Sequence, residues 1–155
     1  MSRVARVIVG IVAGILIGVV AQAGEKEKKI KQSDLPPAVQ KTAAQESAGG
    51  TVTGYTQNTE NGAIVYEMNL LIDGKPKEIV IGPDGIVLAV EQEVPWDQLP
   101  ANVQSGLKQQ AGAGKIGKVT STTKQGKVTS YEANVTTNGK KSEVEVDAEG
   151  KALSH

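Results

Sequence analysis

The sequence predicts an α+β fold: two α-β-β-β-β repeats, with an antiparallel sheet carrying helices on one face. Three observations predict it. One chemical phrase is written twice. Leu35-Pro36-x-x-Val39-Gln40 returns as Leu99-Pro100-x-x-Val103-Gln104, and Gly62…Tyr66-Glu67-x-Asn69…Gly74-Lys75-x-x-Glu78…Asp84-Gly85 returns as Gly126…Tyr131-Glu132-x-Asn134…Gly139-Lys140-x-x-Glu143…Glu149-Gly150. Within each copy the apolar period changes from near four to two, the signature of a helix giving way to strands. Pairs such as Asn61-Gly62, Asp73-Gly74 and Asp84-Gly85 separate the strand-like runs and supply the positive φ angles of tight hairpins.

The first 23 residues read as a secretion signal. Arg3 and Arg6 form a basic start, Val7 to Val20 an uncharged apolar run, and Ala21-Gln22-Ala23 a small-x-small site with cleavage between Ala23 and Gly24. The rival reading is an uncleaved anchor, because Gly10, Gly14 and Gly18 share one helix face as in packed membrane dimers. The apolar run is shorter than the roughly 20 residues that a membrane span needs. Secreted or periplasmic residence after cleavage is the expectation, with membrane contact only through the signal if it stays attached. Gly24 to Gln32 is a charged leader of four lysines and two glutamates, expected to be a solvated tether.

Removing the signal takes away two arginines and no acids, leaving 15 basic against 17 acidic residues, a net charge of −2. Such a chain lacks the basic footprint of a nucleic-acid binder. With no cysteine, no phenylalanine and one tryptophan, the core must be built from Val, Ile, Leu and Ala, without disulfides. A unit of about 60 residues buries a marginal core alone. The copies, 33–94 and 95–155, are therefore expected to share one sheet or one interface.

Each copy opens with a helix. Ser33 or Asp34 is the expected cap of the first, and Pro36 and Pro37 fit only its first turn. Leu35, Val39 and Ala43 make its apolar stripe, and Gly49-Gly50 ends it. Asp97 is the expected cap of the second, whose stripe is Leu99, Val103, Leu107 and Ala111. Strands follow over roughly 51–57, 63–72, 75–81 and 86–92. In the second copy the last strand is short, Lys151-Ala152-Leu153. Alternation puts Ile64, Tyr66, Met68, Leu70 and Ile72 on one face, with Ile79, Ile81, Ile86, Leu88 and Val90, beneath the helices. The other face is expected to stay open.

These phrases together resemble the PepSY-like family of secreted bacterial domains, also described as beta-lactamase-inhibitor-like, in two tandem copies over residues 30–155. The resemblance implies an antiparallel sheet with helices on one face. In the inhibitor proteins of similar shape the open face grips a partner enzyme, and most members have no assigned activity.

Chemistry is sparse. The sole histidine is the terminal His155, and there is no cysteine, so Cys–His catalysis and His-rich zinc sites are excluded. No cofactor is implied. The Asp-Gly pairs lack the alternating oxygen ligands of a calcium loop, and Gly112-Ala113-Gly114-Lys115 lacks the spacing of a phosphate loop. Glu67 and Glu132 recur at equivalent places and could pair as a carboxylate site, or be ordinary solvent-side strand residues. Trp96 can staple the second helix near Leu99 or anchor a partner.

The open face of the first copy carries Val65, Leu71, Val80, Val87 and Ala89 among Glu67, Asn69 and Glu78. That of the second is polar. An apolar set of this kind marks a contact. The expectation is a non-catalytic module that binds a protein of the envelope or exterior through this face, inhibition of an enzyme being one form of it. The alternatives are a carboxylate enzyme around Glu67 and Glu132, or a structural envelope protein held by its anchor.

Overall fold

The computed structural model describes residues 27–60 and 62–153. The signal, its cleavage site, the rival anchor and His155 lie outside the described residues. Among the described residues, eight strands form one antiparallel sheet whose spatial order follows the chain: β1 (Lys28–Ile30), β2 (Thr51–Glu60), β3 (Ala63–Ile72), β4 (Lys75–Ile81), β5 (Val87–Glu93), β6 (Lys115–Lys124), β7 (Lys127–Thr137) and β8 (Lys140–Asp147). Helix α1 (Pro37–Glu46) precedes β2, and α2 (Ala101–Ala111) precedes β6. The β5–β6 ladder, with Glu91 opposite Thr122 and Glu93 opposite Thr120, joins the two halves into one sheet.

The hairpins have the geometry their residues demand. Asp73 and Gly74, Gln125 and Gly126, and Asn138 and Gly139 all take positive φ. Two successive residues of that kind make the type I′ turn, whose twist matches that of the flanking strands.

Both helices cover the same face. Leu35, Val39 and Ala43 pack on Tyr66, Met68, Leu70, Ile79 and Ile81. Leu99, Val103 and Leu107 pack on Val119, Tyr131, Ala133 and Val146. Burying these side chains stabilises by roughly 1.5–3 kcal/mol for each large one.

Two turns act as seats for the helices. The Gly85 carbonyl accepts a hydrogen bond from Thr42 Oγ1 at 2.6 Å. A β-carbon on Gly85 would lie 2.8 Å from the Ala38 carbonyl oxygen, and one on Gly150 would strike the carbonyl of Asn102. Gly106, inside α2, meets the backbone of Gly150. A glycine inside a helix ordinarily weakens it. Here it lets helix and turn touch.

The structure corrects the sequence reading in five places. Ser33 and Asp34 do not cap α1; they lie in a 3-10 turn over Gln32–Asp34, and Pro36 is the cap residue. Asp97 likewise lies in the turn Trp96–Gln98, and Pro100 precedes α2. The side-chain amide of Gln40 donates to the Leu35 carbonyl, and that of Gln104 to the carbonyls of Leu99 and Trp96, which ties each turn to its helix. The leader is not wholly a tether, since Lys28–Ile30 pairs with β2 and Ile30 packs on the first core. On β5, Val80 pairs with Ala89 but Ile81 with Val87, so Leu88 is an extra residue. This bulge reverses the alternation. Val87 therefore packs under α1 with Val90, while Ile86 is left 60% exposed. After β8 the described residues make a single bridge, Ala152 to Val146, in place of a fourth strand.

Candidate functional site

The open face is set by the residues that alternate with the two cores. Asn69 stands opposite Glu78, and Glu78 opposite Glu91, across β3, β4 and β5. Glu93, Thr120, Glu132 and Glu145 form one row across β5, β6, β7 and β8. In a flat sheet the open-face positions from β2 to β8 would span about 29 Å. Instead, residues from all those strands, Thr53 on β2 through Glu145 on β8, line one groove of about 630 Å³. The sheet is curled around it, as bulges in β2, β5 and β6 promote.

Most residues that line the groove are polar, and acids outnumber bases among them. Six glutamates and three lysines line it: Glu78, Glu91, Glu93, Glu132, Glu143 and Glu145 against Lys77, Lys118 and Lys141. Lys118 is paired with Glu93 at 2.9 Å. Glu132 is half-buried, and among the described residues no hydrogen bond or ion pair holds it. Burial first, then the charges of Glu143 and Glu145, push its carboxyl up to about 7. At the other side Leu71 faces Pro76, giving the groove an exposed apolar lip.

The residues singled out in the sequence divide into three groups. Asn69, Leu71 and Glu78 line the groove. Val65, Val80 and Ala89 point to the open side but form a buried cluster, at 4%, 1% and 2% exposure. The expected exposed apolar patch is thus a third small core with Leu71 at 37% exposure beyond it. Glu67 is 5% exposed beside this cluster, and its carboxylate accepts a hydrogen bond from Asn58 Nδ2 at 3.3 Å. Val87 belongs to the other face. Trp96 packs on the second core with Lys108 Nζ 5.5 Å from its ring centre, the arrangement of a staple.

Glu67 and Glu132 are not brought together. They lie on β3 and β7, four strand positions apart, or about 19 Å along a flat ladder. The acids beside Glu132 are Glu143 and Glu145. In the sequence these two residues belong to the polar open face of the second copy, with nothing to single them out. Their signal is in the pairing: Glu132 and Glu145 fall opposite each other once the Asn138-Gly139 hairpin sets the register. Among the described residues no group of three or more acids or histidines is disposed to hold a metal ion.

No family model matches this chain, and no curated protein matches it. Solved structures do. A protein of Bacteroides eggerthii, provisionally described as periplasmic, is similar with a TM-score of 0.62 at 17% identity, over 77% of this chain and 86% of that one. A DUF2874 family protein of Bacteroides ovatus is similar with a TM-score of 0.61 at 19% identity, over 78% of this chain and 86% of that one. A BLIP-like protein of Bacteroides fragilis is similar with a TM-score of 0.57 at 18% identity, over 77% of this chain and 84% of that one. At such identities the likeness is one of fold: an α+β architecture with both helices on one face of an antiparallel sheet.

Proposed function

We propose that this chain is a non-catalytic module of the bacterial envelope that binds a protein through the concave face of its sheet. One observation carries the reading: side chains from β2 to β8 converge on a single groove, while the helices occupy only the opposite face. Small-molecule pockets are mostly apolar and enclosed. A wide, open groove rimmed by charged side chains, with an apolar lip at Leu71 and Pro76, better suits a protein surface, which meets its partner across about 800 Å². Inhibition or modulation of a secreted enzyme is the form of binding that the resemblance to beta-lactamase-inhibitor-like domains implies. The description of one structural relative as periplasmic agrees with the signal-like start of this chain. In this reading the two halves are tandem PepSY-like copies, 33–94 and 95–155, and the mature protein starts at Gly24.

The test is capture from the native envelope fraction, using the full chain and its Leu71→Arg variant as paired baits. A stoichiometric protein retained by the first and lost by the second, with both baits folded, supports the reading. Retention by both contradicts it. Intact mass of the native protein is expected to place its N-terminus at Gly24; a full-length species fixed in membranes would favour the anchored alternative.

A further inference from the structure

The walls of the groove belong to two separately packed bodies. Helix α1 packs on β3 and β4 through the first core, and α2 packs on β6, β7 and β8 through the second. Among the described residues the two cores share no member, and the third cluster, Val65, Val80 and Ala89, lies within the first half. Each helix also sits on a turn of its own half, α1 on Gly85 and α2 on Gly150. Close-packed interiors deform little, so each half keeps its shape when it moves.

The line between the halves is packed differently. The β5–β6 ladder covers only Val90–Glu93 against Thr120–Thr123, whereas β6–β7 runs from Lys115 to Lys124. By alternation Gln92, Ser121 and Thr123 face the helix side there, so polar side chains stand where the two cores would otherwise meet. Ser121 Oγ donates to the Gln92 carbonyl at 3.4 Å, and the exposed Lys118 pairs with Glu93 at 2.9 Å. Such contacts hold the strands side by side but contribute little packing.

We propose that the sheet flexes along the β5–β6 ladder, that each half moves as a rigid body, and that the groove widens and narrows as it does. The groove is lined from both sides of this ladder, by Leu71 and Glu78 on one and by Glu132 and Glu145 on the other. Paired strands tolerate twists from about −10° to −35° with their hydrogen bonds intact. A change of about 10° within that range moves the ends of a ten-residue strand by about 3 Å. The inference concerns the free protein and does not rest on the binding reading.

The full chain has no cysteine, so spin labels can be placed at chosen sites. Gln45→Cys on α1 with Gln109→Cys on α2 reports across the ladder. Gln45→Cys with Ile86→Cys reports within the first half; all three side chains are exposed. Double electron–electron resonance should give a distance distribution about 3 Å broader across the ladder than within the half. Gln92→Leu with Thr123→Val fills the seam with apolar surface. In a protein that keeps its circular dichroism spectrum and melting temperature, this pair should narrow the first distribution to the width of the second and leave the second unchanged. Equal widths in the parent overturn the inference, as does a broad distribution that survives the filled seam. Neither result bears on the binding reading, which the capture experiment decides.

Discussion

Glu132 on β7 and Glu145 on β8 stand opposite each other on the open side of an antiparallel ladder, with burial and mutual repulsion holding Glu132 toward its protonated form. A fold that only had to be stable would place opposite charges or apolar groups there.

This pair gives stability a defined pH dependence. The folded-state pKa of Glu132 is raised from 4.5 to about 7, so between those values the folded chain holds a proton that the unfolded chain has released. The contribution is fully present below about pH 4.5 and is lost as pH rises through about 7. Glu132→Gln should stabilise the protein by about 1 kcal/mol at pH 8, a figure discounted for solvent screening, and by little at pH 4.5. Urea melts of both proteins across that range measure it. An unchanged difference between them at all pH values would contradict the assignment.

Leu71 and Val80 distinguish surface from core on one side of the sheet. Leu71→Arg should leave the melting temperature within a few degrees of the parent, because Leu71 is already 37% exposed. Val80→Lys should unfold the domain, because Val80 is 1% exposed inside the Val65–Ala89 cluster. Thermal melts showing the two to be equally mild would remove that third core.

Neighbours on β3 give the matching contrast between faces. Leu70→Asp should unfold the protein, since a carboxylate there would sit among Met68, Ile79 and α1, at a cost of several kcal/mol. Asn69→Asp should change stability by about 0.5 kcal/mol or less. Equal losses in urea melts would mean that the register of β3 is wrong.

The helix seats predict unequal effects at glycines of similar backbone shape. Gly74 and Gly85 both take positive φ, 76° and 84°. Gly74→Ala meets open space and should cost about 1 kcal/mol from backbone strain alone. Gly85→Ala also drives a methyl group into Ala38 and should cost more than about 2 kcal/mol. Equal costs in denaturant melts would show that α1 is not clamped on that turn.

Much of the fold was legible in the residues. The bounds of β3 and β4, the two helix stripes and the hairpins follow from alternation, spacing and turn chemistry. These are local signals, and here tertiary packing agrees with them. What stayed hidden has no local signature. The Leu88 bulge looks like any other strand residue, yet it turns Val87 under the helix and leaves Ile86 outside. Curvature is a property of the whole sheet, so the burial of Val65, Val80 and Ala89 could not be read from β3 or β4 alone. The groove-lining set was half legible: Asn69, Leu71 and Glu78 came from alternation, whereas Glu143 and Glu145 gained meaning only beside Glu132.

The central claim is that the concave face is where a protein docks, and site-directed photo-cross-linking in the native host tests it most directly. A photoreactive residue replaces Asn134 on the open face or Ser105 on the exposed side of α2, one at a time. The account predicts a discrete heteromeric adduct from position 134 that is lost when Leu71→Arg is added, and none from position 105. An adduct from position 105 alone, or one from position 134 that survives Leu71→Arg, would contradict it.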